Sequence, residues 1–236
     1  MKTTHLTALN DARRSGKATL MITDVESGAQ TLVVEGEANG DIPVTAAVQA
    51  AIDRARNNDR SRMDEVDGRR LFLQVFNPPR RLIVVGAAHI AQPLVPMATL
   101  AGYAVTIVDP RSAWATPERF PDVDIDSRWP DEALDDLKPD ARTAVVTLTH
   151  DPKLDDPALI AALRSNAFYI GALGGQKTAG KRRERLAAEG FGPADFARIN
   201  GPVGLDIGAI TPAEIAISIM AEITEALHRP EKRAAA

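Results

Sequence analysis

Residues 82–94, LIVVGAAHIAQPL, constrain the fold more than any other stretch of the chain. An aliphatic run ends at a glycine and gives way to a helical pattern, the order of strand, tight turn and helix in a dinucleotide-binding unit. In G-x-G-x-x-G the first glycine turns the chain, the second admits a pyrophosphate and the third lets helix and strand pack. Only Gly86 is present, with Ala88 and Ala91 in the other two slots and Ala87, His89 and Ile90 around them. Gly86 can make the turn and Ala91 is small enough to pack, but the Ala88 methyl occupies the space where phosphate oxygens approach. The backbone N–H groups of Gly86–Ile90 are candidate phosphate contacts at a helix start.

Strand-like and helix-like segments alternate on both sides of this turn. Arg81–Val85, Ala104–Val108, Arg142–Thr149 and Phe168–Gly171 read as strands, with a short extended piece at Asp122–Asp126. Helical patterns run from the glycine turn to about Ala101, over Asp156–Arg164, over Lys177–Ala188 and over Thr211–Leu227. The expected fold is α/β: a Rossmann-type, mostly parallel sheet with helices on both faces. Thr211, Pro212 and Glu214 form a helix-start signature for the last helix. The tail after Pro230 reads as frayed.

Ahead of this region the pattern differs. ATLMIT (18–23) and QTLVVE (30–35) flank the turn-forming DVESGA as a hairpin. Val44–Arg56 has helical spacing, NNDRSRMDEVDG reads as a polar loop, and RRLFLQVF is a further strand stopped by Pro78 and Pro79. The expected division is a small α+β domain at 1–78 and the Rossmann-type domain at 79–236.

Open α/β sheets bind ligands at the carboxyl ends of their strands, so the candidate site residues cluster there. Asp109 ends a strand about 20 residues beyond the turn, where an acid holds a ribose, and Arg111 can meet a phosphate. The alternative is that Asp109 caps a turn and Arg111 is solvated. His89 can donate to a phosphate or pterin oxygen, or pack over the strand end. His150 and Asp151 form a pair able to move protons, unless Asp151 and Thr149 only organise the start of a helix. Gly171, Gly174 and Gly175 precede a basic helix, where exposed N–H groups and Lys177 favour an anion. The spacing does not match a Walker A loop. Lys181, Arg182, Arg183 and Arg185 read as a solvated face paired with Glu184 and Glu189. Gly204 and Gly208 surround Asp206, which can bond a base or pterin edge or satisfy loop N–H groups.

Composition narrows the function classes. The 236 residues carry a net charge of −4, which gives no general field for nucleic acid or anionic membrane. The chain has no cysteine, so disulfides, thiolate metal sites and cysteine nucleophiles are excluded. No signal peptide or membrane span is readable, and a cytoplasmic location is expected.

Several segments together resemble the xanthine dehydrogenase accessory (XdhC/CoxI) family: VFNPPRRLIVVGAAHIAQPL, GYAVTIVDPRSAWATPERFP, THDPKLDDPAL, FYIGALGGQKTAGKR and GPVGLDIGAITPAEIAISIMAEI. The resemblance implies a small N-terminal domain before a Rossmann-type domain. It also implies binding of molybdenum cofactor, as molybdopterin or its cytosine dinucleotide form, assistance with sulfuration, and delivery to a molybdenum hydroxylase. The turn at Gly86–Ile90 and the loops at His150, Gly171–Gly175 and Gly204–Gly208 would form the cofactor-facing edge. Many family members carry an N-terminal SGGC-like segment that this sequence lacks, so any thiol step would need a partner chain, such as a cysteine desulfurase or a second accessory chain. The rival expectations are an NAD(P)-dependent oxidoreductase using Asp109, Arg111 and His150, and a cofactor-free interaction subunit. The last helix is apolar on more than one side, which fits a core helix or a homodimer face.

Overall fold

The computed structural model describes residues 2–229, so the tail expected to fray after Pro230 lies outside the described residues. The chain divides into two compact units, residues 1–78 and 79–236.

In the first unit, helix α1 (Thr3–Arg14) precedes the hairpin of β1 (Thr19–Asp24) and β2 (Gln30–Val34). Asp24 Oδ1 fastens the turn by accepting from the N–H groups of Glu26 and Ser27, at 3.0 and 3.2 Å. Strand β3 (Glu37–Gly40), helix α2 (Ala46–Asn57) and strands β4 (Arg62–Val66) and β5 (Arg69–Phe76) follow. The sheet is antiparallel in the order β3-β2-β1-β5-β4. Its core sets Leu20, Ile22, Leu71 and Leu73 against Val48, Ile52 and Ala55 of α2.

One expectation fails here. The polar stretch read as a loop contains β4, which pairs with β5 at the sheet edge. An edge strand needs backbone partners on one side only and tolerates charge, so its sequence lacks apolar alternation. Only Val66 of β4 is buried, and Arg62 and Arg54 both pair with Asp64.

The second unit runs β6 (Arg80–Val85), α3 (Ala91–Leu100), β7 (Tyr103–Val108), β8 (Asp124–Asp126), α4 (Pro130–Leu137) and β9 (Thr143–Thr147). It continues with α5 (Pro152–Arg164), β10 (Tyr169–Ala172), α6 (Gln176–Ala188), α7 (Pro193–Phe196), β11 (Ile199–Asn200) and α8 (Pro212–His228). Six strands lie in the order β11-β10-β9-β6-β7-β8, and every pairing is parallel. Alternate residues of β6 feed two cores. Leu82 and Val84 join α3 and α8 on one face, while Ile83 and Val85 join α4 and α5 on the other. Burial on both faces explains why these strands read as continuous aliphatic runs.

Helix α8 starts as its sequence dictates. Thr211 Oγ1 accepts from the Glu214 N–H at 3.3 Å, and Glu214 Oε2 accepts from the Thr211 N–H at 2.8 Å. Of its apolar residues, Ile219 and Ile223 are buried while Ile217 is 50% exposed.

The strand order reverses at β6, with β7 on one side and β9 on the other. Loops diverging from such a switch point leave a crevice at the carboxyl edge. At its bottom Gly86 has φ +107°, and a Cβ there would lie 2.5 Å from Thr149 Cγ2. The glycine is needed to let the β9 end pack beside the β6 end. Gly86→Ala is therefore expected to cost about 2–3 kcal/mol through backbone strain and overpacking. A thermal unfolding midpoint equal to that of the unaltered chain would refute this role.

Candidate functional site

The acid expected to receive a ribose is already engaged. Asp109 is fully buried at the β7 end. Its Oδ2 accepts from the Ala87 N–H at 2.8 Å and from Arg111 Nη2 at 2.7 Å, and its Oδ1 accepts from the Arg111 N–H and Nε, both at 2.9 Å. Burial alone would raise this carboxyl, but the Arg111 guanidinium and the two backbone donors outweigh it and hold it below the usual aspartate value. Arg111 is correspondingly held in place, its Nε and Nη2 bonded to Asp109 and its side chain 38% exposed. The Gly86 N–H is also committed, donating to Val108 O at 2.9 Å.

The rest of the turn faces outward only in part. Ala88 and Ile90 are half-buried against the core, and His89 is exposed. The His89 ring meets Trp114 edge-on with centroids 6.1 Å apart. Arg111 and Arg119 lie 5.4 and 5.5 Å from the Trp114 ring centroid. Trp114 has no periodic signature; it lies in the segment GYAVTIVDPRSAWATPERFP, which does not reveal these ring contacts.

At the β9 end, the helix-start reading holds and the proton pair does not form. Asp151 Oδ1 accepts from the Lys153 N–H at 2.9 Å, capping α5, while His150 is exposed with φ +61°. Thr149 Oγ1 accepts from the Asp151 N–H at 3.0 Å and donates to Asp155 Oδ1 at 2.7 Å. Asp155, 2% exposed, escapes sequence reasoning because it sits at a helical core position. Burial pushes its carboxyl above the usual value, and the Thr149 bonds only partly oppose this.

At the β10 end the glycines serve different purposes. A Cβ on Gly171 would meet Val203 Cγ2 at 2.6 Å, so that glycine answers to packing. Gly174, with φ +119°, lets the chain turn closely over Thr178, and Gly175 starts α6 with no side-chain cap. The basic helix is not a uniformly solvated face. Arg182 is 3% exposed, donating Nη2 to Leu173 O at 2.6 Å, while its Nε and Nη1 have no partner among the described residues. Arg185 pairs with Asp156 on α5, not with a glutamate of its own helix. Lys177 and Lys181 are exposed.

The last glycine-rich loop is built against α8. A Cβ on Gly204 (φ +97°) would reach Ser218 Oγ at 2.3 Å, and the Gly204 N–H donates to Glu222 Oε2 at 2.8 Å. Asp206 and Gly208 are exposed.

A cleft of about 200 Å³ opens where the β9 and β10 loops meet α6, lined by His150, Asp155, Lys177, Thr178, Lys181 and Arg182, with Pro152 and Arg185. It unites two of the sequence candidates, His150 and Lys177, beside the Gly174–Gly175 turn. Its cations and the open first turn of α6 make it suited to an oxyanion. Among the described residues no group of three or more His, Asp or Glu side chains could hold a metal ion. No helix among them is long and apolar enough to cross a membrane.

Asp109 should carry measurable stability. Asp109→Asn is expected to cost on the order of 2 kcal/mol at neutral pH, by replacing a charged, multiply bonded acceptor. Because the folded carboxyl is held low, its contribution is present above about pH 4 and is lost as pH falls below that value. Urea unfolding of both chains from pH 7 to pH 3 checks this: the difference should shrink, and a constant difference would contradict it.

Comparison with known proteins agrees with this architecture. Residues 82–223 match the family model described as the XdhC Rossmann domain. The chain is 31% identical over 229 residues to a probable xanthine dehydrogenase subunit from Bacillus subtilis (strain 168), covering 97% of this chain and 66% of that protein. It is 31% identical over 157 residues to the molybdenum cofactor insertion chaperone PaoD of Escherichia coli (strain K12), covering 66% of this chain and 43% of that one. A crystal structure of a xanthine dehydrogenase from Bacillus halodurans superposes with a TM-score of 0.72 at 25% identity, covering 95% of this chain and 64% of that one. The chain thus spans slightly under two thirds, or less, of the length of these relatives. With the family model matched across most of its second unit, the chain belongs to the XdhC family.

Proposed function

We propose that this chain is an accessory protein that holds molybdenum cofactor by its phosphate end and passes it to a molybdenum hydroxylase client of the xanthine or carbon monoxide dehydrogenase type. The observation that carries this reading is the basic cleft at the carboxyl edge, with a buried arginine in its wall. The donor set fits a phosphate: Lys177 and Lys181 supply mobile charge, Thr178 a hydroxyl, and the α6 start backbone N–H groups. The bound group would supply the metal chemistry used by the client. The chain's own residues bind and orient it. PaoD, named as an insertion chaperone, supports the same role in a relative.

Further parts of the reading are proposals of the same kind. The chain would act in the cytoplasm, as a homodimer using the partly exposed α8 face. Sulfuration would draw on a cysteine desulfurase or second accessory chain, since no thiol is present here. The NAD(P) oxidoreductase reading loses support, because Asp109 and Arg111 are spent on one another.

Equilibrium dialysis with purified molybdopterin tests the proposal. Saturable binding is expected, and the double substitution Lys177→Glu with Lys181→Glu should weaken it at least ten-fold, about 1.4 kcal/mol or more, without moving the unfolding midpoint. A folded sample with no saturable binding would overturn it.

A further inference from the structure

Asp155 is an odd wall for an oxyanion site. Its carboxylate lines the cleft, is almost fully buried, and stands among His150, Lys177, Lys181 and Arg182. Its hydrogen bonds with Thr149 both reach one oxygen: Thr149 Oγ1 and the Thr149 N–H donate to Oδ1, at 2.7 and 3.3 Å. That leaves Oδ2 as the oxygen available to an occupant. Arg182, with Nε and Nη1 buried and unpartnered among the described residues, lines the same cleft without forming an ion pair with Asp155. A guanidinium and a carboxylate, both buried and lining one cleft with no ion pair between them, suit a ligand that both accepts and donates.

We propose that the cleft selects a phosphate monoester that binds with one proton shared between a phosphoryl oxygen and Asp155 Oδ2, and discriminates against sulfate and phosphodiesters. The inference rests on the reading of the cleft as an oxyanion site and deepens it by naming the anion. A monoester has a second ionisation near pH 6 and can carry the proton, whereas sulfate and a diester are fully ionised and can only accept. Facing an ionised Asp155 they would set two like charges together with no hydrogen bond between them. Of the two cofactor forms, one ends in a monoester and the other in a diphosphate diester, so the site favours the former.

The proton balance gives a signature. Above about pH 7 the free monoester is mostly a dianion, so binding takes up one proton from solvent. Below about pH 5.5 the ester brings the proton itself and uptake falls toward zero. Asp155 is faced by Thr149 and His150 from the β9 loop, by the four basic side chains of α6, and more distantly by Arg111 from the β7 loop. Asp151 and Asp156 flank it on its own side. His150 is the other group able to accept the proton, and substitution separates the two.

Calorimetric titration of the full chain with phenyl phosphate, inorganic phosphate, sulfate and dimethyl phosphate, in buffers of differing ionisation enthalpy, reads both features. Phenyl phosphate and inorganic phosphate are expected to bind at least ten-fold more tightly than sulfate or dimethyl phosphate, with uptake of about one proton at pH 7.5. Binding of inorganic phosphate but not phenyl phosphate would mean a site for the free ion and would overturn the ester assignment. His150→Gln should keep the uptake, and Asp155→Asn should abolish it and bring sulfate to within about two-fold of phosphate. The unaltered chain alone decides the matter if Asp155→Asn fails to fold: sulfate binding as tightly as phosphate, or no proton uptake, overturns the proposal. Loss of all small-anion binding in a chain that still takes up molybdopterin would overturn it while leaving the cofactor reading standing.

Discussion

The carboxylate of Asp109 ties the end of β7 to the turn that follows β6, and the rest of the carboxyl edge is arranged around that tie. It takes the Ala87 N–H that a dinucleotide fold would leave for a ligand, and it immobilises Arg111 through both of its oxygens. Burial of an acid is unfavourable unless its charge is matched and its lone pairs are used, and here both conditions are met. The consequence is a turn whose first two N–H groups, those of Gly86 and Ala87, are spent inside the protein. With Thr149 packed against Gly86, the space between the β6 and β9 ends is taken up by the protein itself.

The cleft and its basic side chains lie further along the sheet, at the loops after β9 and β10. The two charged side chains buried there obey a different rule from Asp109. Arg182 retains buried donors with no partner among the described residues, and the Thr149 bonds to Asp155 reach only its Oδ1, although the two residues influence one another electrostatically. Unsatisfied buried polar groups cost on the order of 1–3 kcal/mol each, more when charged, so their persistence beside a cleft differs in kind from a satisfied core pair. Asp109 is an acid whose bonding is complete without a ligand. Asp155 is one whose bonding is not.

Much of the second unit could be read from the chain because its strands are buried on both faces and its last helix carries an explicit start signal, as Thr211 to Glu214 show. Some of the elements that escaped have sequences that serve only one neighbour. Strand β4 is a charged edge, and α1 buries only His5, Leu9 and Ala12, too few to mark a helical stripe. At the site the candidates were legible as residue types placed at strand ends, yet their division of labour was not. Nothing in the local sequence around Asp109 says that Arg111 folds back upon it. Arg182 looked like its neighbours in KRRER, and only the turn of α6 selects it for burial while Lys181 and Arg183 face water. Glycines misled in the same way. Gly171 and Gly204 mark the close approach of side chains of Val203 and Ser218, so glycine density reported packing and not a ligand.

Four of the 28 lysine and arginine side chains line this one small cleft in a chain whose net charge is −4, and that local grouping suits a carrier. A broad positive surface would draw in any polyanion, whereas a small basic pocket in an acidic molecule attracts only groups that fit inside it. Holding a cofactor by its phosphate also leaves the opposite end uncommitted. On the proposed reading, affinity is lodged in the part of the cargo that takes no part in its chemistry. Handover then requires the client to out-compete hydrogen bonds and screened charges.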